Sequence, residues 1–533
     1  MITEQILNPA EKRPMRLPDG AELLIFDDNR EKQAAQLLFD AGFAETSAKK
    51  EGKAVFRLFK NGDTTVYMTR LPGQQALRIV EKKHDAFVSE PAAPAGPYPT
   101  LLTQVKLSYI SVDCGMTYVL RLSDGRFVLL DSGYNEYEED AHLLDLLNEQ
   151  NVLGGKPKIA AWFFSHAHED HFGGFCALME HFADKVTVES VIYNFPMESA
   201  GGPPTPFYRI LAQHPEIRIV IARTGQVYHF ADAVLTALFT GEDLLPESCG
   251  NLNDSSLVLR LEVNGKRVLL LGDAQGQASD CIMERLGEES VRSDIVQVGH
   301  HGYGGGSDTL YRASDPELLL WPCPDYWYPV VSLWPSNNFL IHSEKIHSIL
   351  IGGQGEAVVN LSEPLKPIAF AKPETGVFYE EDFKKERVTD LGWSFLNGGR
   401  MIYRAGTIRL ENGAIIGADD NMTACAFVQP WKIQKKKSLK IAFSGVALQK
   451  TERLGLMWAY DHPTEYEEDR VLWLDVLPEE PFTFVLTVKD QKATLQKNGG
   501  AAVDVPCGSP RGLHFVLKNG QVKITHIRVT DGK

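Results

Sequence analysis

The chain has 533 residues, 44% hydrophobic and 23% charged, with a formal net charge of -16. That length allows two to four domains with sizeable cores. The acidic balance excludes a protein whose whole surface binds nucleic acid and leaves only local patches for a polyanion. The seven cysteines (Cys114, Cys176, Cys249, Cys281, Cys323, Cys425 and Cys507) form no C-x-x-C pair, which predicts reduced core thiols and a cytoplasmic protein. No basic segment followed by an apolar run opens the chain, and no apolar stretch approaches the roughly 18 residues of a membrane span, so neither a signal peptide nor a membrane segment is expected.

Residues 1–90 read as a small α+β accessory domain, with strands at 21–26, 54–59, 64–69 and 75–80 and a helix at 31–41 ended by Gly42. Its lone His84 reads as exposed. The segment 89–100, S-E-P-A-A-P-A-G-P-Y-P-T, is rich in proline and alanine and predicts a semi-rigid linker. A middle domain at 101–405 follows. It opens with strands at 107–112, 116–122 and 126–130, the last two joined by a Ser123-Asp124-Gly125 turn. A helix at 140–147 then leads to the densest stretch of the chain, W-F-F-S-H-A-H-E-D-H-F-G-G from Trp162 to Gly174.

This stretch reads as a buried strand, a ligand-bearing loop and a helix at 175–183. Imidazole and carboxylate together suit a divalent metal such as zinc. His166 and His168 lie two apart and point the same way on an extended segment. Asp170 and His171 follow where the chain turns, so they face a second point. The arrangement suits two metals better than one.

Strands at 186–194, 217–221, 227–230 and 234–239 come next. From Asn251, N-L-N-D-S-S-L-V-L opens a strand at 257–263, which turns at Asn264-Gly265 and returns as R-V-L-L-L-G-D-A to end at Asp273. A carboxylate at that buried strand end is placed to bridge two cations; the alternative is an N-cap for the helix expected at 275–286. S-D-I-V-Q-V-G-H-H-G (293–302) ends another strand in His300 and His301. Adjacent side chains on an extended segment point opposite ways, so one of the two is expected to bind metal. The aromatic, proline-rich stretch after Trp321, which carries Trp327 and Trp334, packs against that edge or caps it as a lid. A helix is expected at 338–351, with His342 and His347 on or near it. From 406 to 533, short strands at 439–443, 454–459, 482–488, 492–495 and 522–529, with Asn498-Gly499 and Asn519-Gly520 turns, predict an all-β, concanavalin-like sandwich. Such modules often bind glycans, which fold alone does not establish. The basic run 432–440 is the local patch suited to a polyanion.

H-A-H-E-D-H followed by G-G resembles the H-x-H-x-D-H motif of the metallo-β-lactamase superfamily. N-D-S-S-L-V-L, L-L-L-G-D-A and V-G-H-H-G are similar to the branch that holds the soluble domain of the ComEC DNA-uptake proteins and a phosphorylcholine esterase of bacterial cell surfaces. The resemblance spans about residues 105–325. It implies an α/β fold, an αββα sandwich with a dinuclear metal site at one edge, here flanked by the small N-terminal α+β domain and the C-terminal β-sandwich. It also implies that His166 and His168 hold one cation, that Asp170, His171 and His301 hold the second, and that Asp273 bridges them. Asp131, in L-L-D-S-G, would brace the histidine loop. The cofactor is then two divalent ions, zinc first and manganese second, with a bridging hydroxide as nucleophile. Asp170 would orient the hydroxide, and His300 or Tyr303 would protonate the leaving group.

The resemblance implies a bacterial hydrolase acting on a phosphoester or phosphodiester. A lactone or amide hydrolase is the alternative within the superfamily, and a scaffold with a metal-stabilised core is the alternative outside it. The DNA-uptake role itself is not expected, since the chain is acidic and shows no membrane part. Di-iron oxidoreductase chemistry is disfavoured because that branch carries glutamate where this chain has His168. Two departures stand out. Tyr303 replaces a small hydroxyl residue after H-H-G, and its phenol either stabilises an oxyanion or walls the pocket. The superfamily's intervening histidine also has no clear counterpart: His181, His214 and His229 lie in the interval without a strand-end motif, and Asn253 and Asp254 lie nearer Asp273. Oligomeric state and the jobs of the flanking domains have no signature in the sequence.

Overall fold

A computed structural model describes residues 14–85, 90–105, 115–134, 139–196, 204–246, 249–323, 328–332, 334–367, 377–384, 394–397, 408–428, 438–448, 451, 453–458, 471–507 and 513–532. The strand expected at 107–112, Trp327 and most of the basic run 432–440 lie outside these residues.

Two sheets form the middle of the molecule. The first runs Arg218–Ile221, Ser190–Tyr193, Lys158–Phe163, Phe127–Leu130, Tyr118–Arg121, Leu101–Gln104, Ala357–Asn360. The second runs Val227–Phe230, Ala233–Phe239, Val258–Val263, Lys266–Leu270, Ile295–Gln297, Leu318–Trp321, Ser348–Ile351. Central strands such as I-A-A-W-F and L-L-L-W are unbroken apolar runs because both of their faces are buried. One core, with Tyr118, Phe163, Tyr228, Leu259 and Leu320, draws on strands of both sheets and fills the space between them. The opposite faces pack on helices through Leu147, Phe175, Phe207, Ile282 and Leu310. The layers are therefore helix, sheet, sheet, helix.

Strand direction decides where the ligand-type residues emerge. Phe127–Leu130 and Lys158–Phe163 run parallel, so Asp131 and His166 leave the first sheet at one edge. Lys266–Leu270, Ile295–Gln297 and Leu318–Trp321 are also parallel, and Asp273, His301 and Pro322 follow their C-terminal ends. Loops at the carboxyl ends of parallel strands are the usual place for ligands in such sheets.

The N-terminal residues form a six-stranded sheet, Met15–Arg16, Glu22–Asp27, Ala76–Lys83, Thr64–Leu71, Ala54–Asn61, Ala44–Glu51, with the helix Glu31–Asp40. The strand Ala44–Glu51 has no counterpart among the expected elements. Its sequence, A-E-T-S-A-K-K-E, is polar and mostly solvated, and an edge strand pairs without showing apolar alternation. This sheet shares buried charges with the middle of the molecule. Arg260 Nη2 lies 3.0 Å from Glu51 Oε2, and Arg260 also donates to the Ser290 carbonyl at 2.9 Å. Arg223 Nη2 lies 2.6 Å from Asp19 Oδ2. Arg78 donates to the carbonyls of Leu245 (2.8 Å) and Glu242 (2.6 Å).

Several expected boundaries move. The helix expected at 338–351 is only Asn338–His342, and Ser348–Ile351 is the edge strand of the second sheet. The apolar run I-L-I-G reads equally as either element, and pairing with Leu318–Trp321 decides it. The helix Thr205–Gln213, absent from the expected elements, packs Phe207 fully inside. Among the described residues of the C-terminal region, eleven strands form one hydrogen-bonded network. Leu513–Thr530 is long enough to pair with Ala414–Val428, Ser438–Ala447, Arg453–Met457 and Val377–Glu381 along different parts of its length.

The Arg260–Glu51 pair is enclosed on both sides, so removing one partner strands a buried charge. Arg260→Ala is expected to destabilise the chain by about 3–5 kcal/mol, read as a lower denaturation midpoint at unchanged slope in chemical unfolding.

Candidate metal centre

The first half of the site hangs on Asp131. Its backbone takes a left-handed φ of 54°, which a non-glycine residue adopts only when its surroundings hold it there. Its N–H donates to the Phe163 carbonyl (2.8 Å), and its own carbonyl accepts the Trp162 indole N–H (2.9 Å). Its carboxylate accepts the Ser165 N–H (2.7 Å) and Ser165 hydroxyl (2.8 Å) and contacts His171 Nδ1 at 2.8 Å. The helix begins at Glu169, not at 175 as expected, with His168 as its extended N-cap. Asp170 and His171 therefore sit in its first turn, where a carboxylate is favoured by the helix dipole. The turn can approach this closely because of Gly174: a Cβ there would lie 2.0 Å from the Ser132 carbonyl oxygen.

The second half comes from the other sheet. Gly272 (φ 55°) lies so close to Ser165 that a Cβ would meet Ser165 Cβ at 2.6 Å. The Asp273 N–H donates to Ser256 Oγ at 3.0 Å. The strand before the histidine pair ends at Gln297, and His300 and His301 both have positive φ (48° and 53°). The pair is thus a tight turn, not the extended segment expected, and turn geometry separates the two rings. His301 points inward, its Nδ1 2.8 Å from the Pro322 carbonyl, and its own carbonyl accepts the Trp321 indole N–H (3.0 Å). His300 points to the rim, held by Asn253 (3.1 Å), Gln275 (2.7 Å) and the Tyr303 carbonyl (2.9 Å).

Two groups of ligand-type side chains result, Asp170, His171, Asp273 and His301 in one, and His166, His168 and Asp273 in the other. Asp273 Oδ2 lies 3.3 Å from His171 Nε2, 3.6 Å from His301 Nε2 and 3.9 Å from His166 Nε2. His166 Nε2 and His168 Nδ1 are 2.8 Å apart.

The donor chemistry fits a cation. With Nδ1 donating to Asp131, His171 turns a bare Nε2 lone pair toward Asp170 Oδ2 (3.4 Å) and Asp273 Oδ2. With Nδ1 donating to Pro322, His301 does the same, 3.3 Å from Asp170 Oδ2. Acceptors facing acceptors in a dry interior repel unless a positive charge lies between them. Among the described residues, His171 Nε2 and Asp273 Oδ1 are buried without a hydrogen-bond partner, as expected of atoms reserved for a metal.

The titration directions agree. Burial pushes His171 down, but Asp273, Asp170 and Asp131 together outweigh it and hold the ring well above its ordinary value. Without a cation, a proton takes the cation's place. Burial raises Asp273, but His171 and His301 outweigh it and keep the carboxyl well below the usual range. His166 is pushed well below its ordinary value by burial, then by His171, so it stays a neutral ligand.

The other candidates lie elsewhere. His181 pairs with Asp140 (2.6 Å), His214 with Glu216 (2.9 Å), and His342 with the Asn338 carbonyl (2.9 Å). Asp254 accepts the Gln275 N–H (2.9 Å) and Ala278 N–H (3.0 Å), so it caps the helix Gly276–Arg285 and leaves Asp273 free of that task. Tyr303 is half-buried beside His300, their ring centres 5.9 Å apart. Trp334 is 42% exposed and packs over Gly304. Sequence reading missed Ser165 and Ser256, whose hydroxyls reach His166 Nδ1 at 3.0 and 3.4 Å. Serine before a ligand histidine, and the S-S of N-D-S-S, were the available signals.

Residues 113–319 match the family model of the metallo-beta-lactamase superfamily, and this part of the chain is a domain of that superfamily, whose members are typically metal-dependent hydrolases. Solved structures with similarity include the metallo-beta-lactamase fold protein YhfI from Bacillus subtilis, at 12% identity over 48% of this chain and 96% of that one, with a TM-score of 0.33. CmlA, a diiron beta-hydroxylase from Streptomyces venezuelae, is similar at 13% identity over 50% of this chain and 55% of that one, with a TM-score of 0.31. A Bacillus subtilis protein of unknown function with a galectin-like fold is similar at 10% identity over 30% of this chain and 97% of that one, with a TM-score of 0.23. No curated protein matches the chain. No helix among the described residues is long and apolar enough to cross a membrane.

Two outcomes follow from the bracing and charge arrangement. Asp131→Ala is expected to weaken metal affinity by about 10–100-fold, read by competition with a chromophoric chelator. Adding zinc to the metal-free chain at pH 7 is expected to release protons, since the raised His171 must give one up to bind, and affinity should rise with pH; calorimetry in buffers of different ionisation enthalpy measures both.

Proposed function

We propose that the chain is a dinuclear metal-dependent hydrolase acting on a phosphoester or phosphodiester. The observation that carries this reading is Asp273: one buried carboxylate shared by two groups of ligand side chains contributed from both sheets. His166 and His168 would hold one ion and Asp170, His171 and His301 the other, with Asp273 common to both groups. Zinc or manganese suits this imidazole and carboxylate set. When bound, two such ions supply a nucleophile at neutral pH and charge stabilisation for an in-line displacement.

The chain's own residues do the rest. Asp131 and the Pro322 carbonyl fix the ring orientations of His171 and His301, so the ligands are set before substrate arrives. Asp170 orients the attacking water. His300, held by Asn253 and Gln275, stands at the rim to hand a proton to the leaving oxygen, with Tyr303 beside it. The phosphoester assignment is supported by the N-D-S-S-L-V-L, L-L-L-G-D-A and V-G-H-H-G resemblance to the esterase branch. The C-terminal strands would serve as a separate module for a polymeric substrate such as a glycan.

The test is hydrolysis of bis-p-nitrophenyl phosphate with elemental analysis of the same preparation. Close to two metals per chain, with turnover reduced at least about 1,000-fold in Asp273→Ala, is the expected result. Two metals without turnover would move the substrate to a lactone or amide. No metal after reconstitution would leave a scaffold protein.

A further inference from the structure

A cavity of about 210 Å³ lies between the N-terminal sheet and the edge of the second sheet, and it shares no residue with the metal centre. Strand register builds one wall. Lys49, Phe56 and Thr69 sit side by side on the strands Ala44–Glu51, Ala54–Asn61 and Thr64–Leu71, and Ser47, Leu58 and Tyr67 form the next row. Residues two apart on a strand share a face, so both rows look the same way, into the cavity. The opposite wall is the 224–229 segment, with Gln226, Val227 and His229. Gly225 lets the two walls meet: a Cβ there would lie 2.2 Å from Phe56 Cδ1.

The floor is buried and its polar groups are satisfied. Phe56, Tyr67 and Gln226 are all buried. Gln226 donates to the Tyr67 hydroxyl (2.8 Å), and that hydroxyl donates to Asp85. The mouth is different: Ser47 is exposed, and Lys49 and Thr69 are half-buried. The Lys49 ammonium donates to Thr236 Oγ1 (3.0 Å) and lies 3.2 Å from Glu51 Oε2, while Glu51 is itself held by Arg260 through both oxygens. An ammonium has three donors, so one remains for a ligand.

Apolar walls with one placed charge, at the junction of two parts of a chain, are the usual makeup of a small-molecule site. A dry cavity of about 150 Å³ holds benzene, so this one has room for one ring and a small substituent. The neighbouring Phe56 and Tyr67 rings favour a flat partner.

We propose that this cavity binds a small molecule carrying one aromatic ring and one carboxylate. The ring lies against Phe56, Leu58 and Val227, and the carboxylate meets the Lys49 ammonium beside the Ser47 and Thr69 hydroxyls. Such a ligand touches both the N-terminal sheet and the 224–229 segment, so its binding stabilises the contact between them. The site is independent of the metal centre and of the reaction proposed for it.

The experiment offers benzoate, benzamide and benzylamine to the full chain as purified, with binding read by calorimetry and by saturation-transfer NMR of the probe. Saturable benzoate binding is expected, at least about tenfold tighter than that of the neutral benzamide, with benzylamine weakest. Lys49→Met keeps the apolar stem and is expected to reduce benzoate to the affinity of benzamide. Ser47→Trp, at the exposed mouth, is expected to abolish binding of all three at an unchanged thermal midpoint, and it decides the matter where Lys49→Met does not fold. No saturable benzoate binding, equal binding of the three probes, or benzoate binding that survives both substitutions, as it would if the carboxylate sat on a metal ion, would overturn the proposal.

Discussion

The Asp131 carboxylate is the contact on which the site depends. It is buried, and burying a charge is costly unless donors surround it. Here Ser165 supplies two donors and His171 a third, while the Asp131 backbone ties to Phe163 and Trp162. One residue thus fixes the end of a strand, the loop after its neighbour and the first turn of a helix. It also decides which nitrogen of His171 keeps its lone pair. The opposite tautomer would aim an N–H at the two carboxylates and leave no lone pair for a cation.

The second sheet meets this arrangement with equal economy of space. Gly272 and Gly174 let backbone segments approach where any side chain would collide with Ser165 or the Ser132 carbonyl. Gly302 does the same for the Trp321 indole, whose N–H holds the His301 carbonyl. Small residues at these contacts do not bind anything. They allow Asp273 and His301 to meet His171 across the sandwich edge, with His171 Nε2 3.3 Å and His301 Nε2 3.6 Å from Asp273 Oδ2.

The N-terminal sheet reads in sequence as a detachable accessory, yet it meets the middle of the molecule through enclosed ion pairs. Arg260 with Glu51 and Arg223 with Asp19 pair at hydrogen-bonding distance, while the Nε of each arginine is buried without a partner among the described residues. Such pairs contribute less net stability than apolar contacts of the same size, but they penalise any misplacement of the partners. Arg78 extends the same logic to the 242–246 segment through the carbonyls of Glu242 and Leu245.

By itself, the sequence located the candidate ligand side chains that the fold then gathers at one edge. His166, His168, Asp170, His171, Asp273 and His301 were legible as candidates because ligand-type residues cluster densely at the ends of apolar runs, and strand periodicity locates those ends. The hairpin at Asn264-Gly265 and the layers of strand and helix were legible for the same local reason. Ala44–Glu51 was not, because an edge strand's pairing leaves no apolar pattern. The run at 348–351 was not, because only its neighbour in the sheet chooses strand over helix. Nor was the turn at His300 and His301, since positive φ at two adjacent histidines is imposed by packing on Gly272, Tyr303 and Trp321. Tertiary structure alone decided that Asp254 caps a helix while Asp273 does not, that Ser165 and Ser256 support His166, and that the ligand-type side chains gather as one group of four and one of three that share Asp273. These are distances between segments far apart in the chain, and no local pattern of residues encodes them.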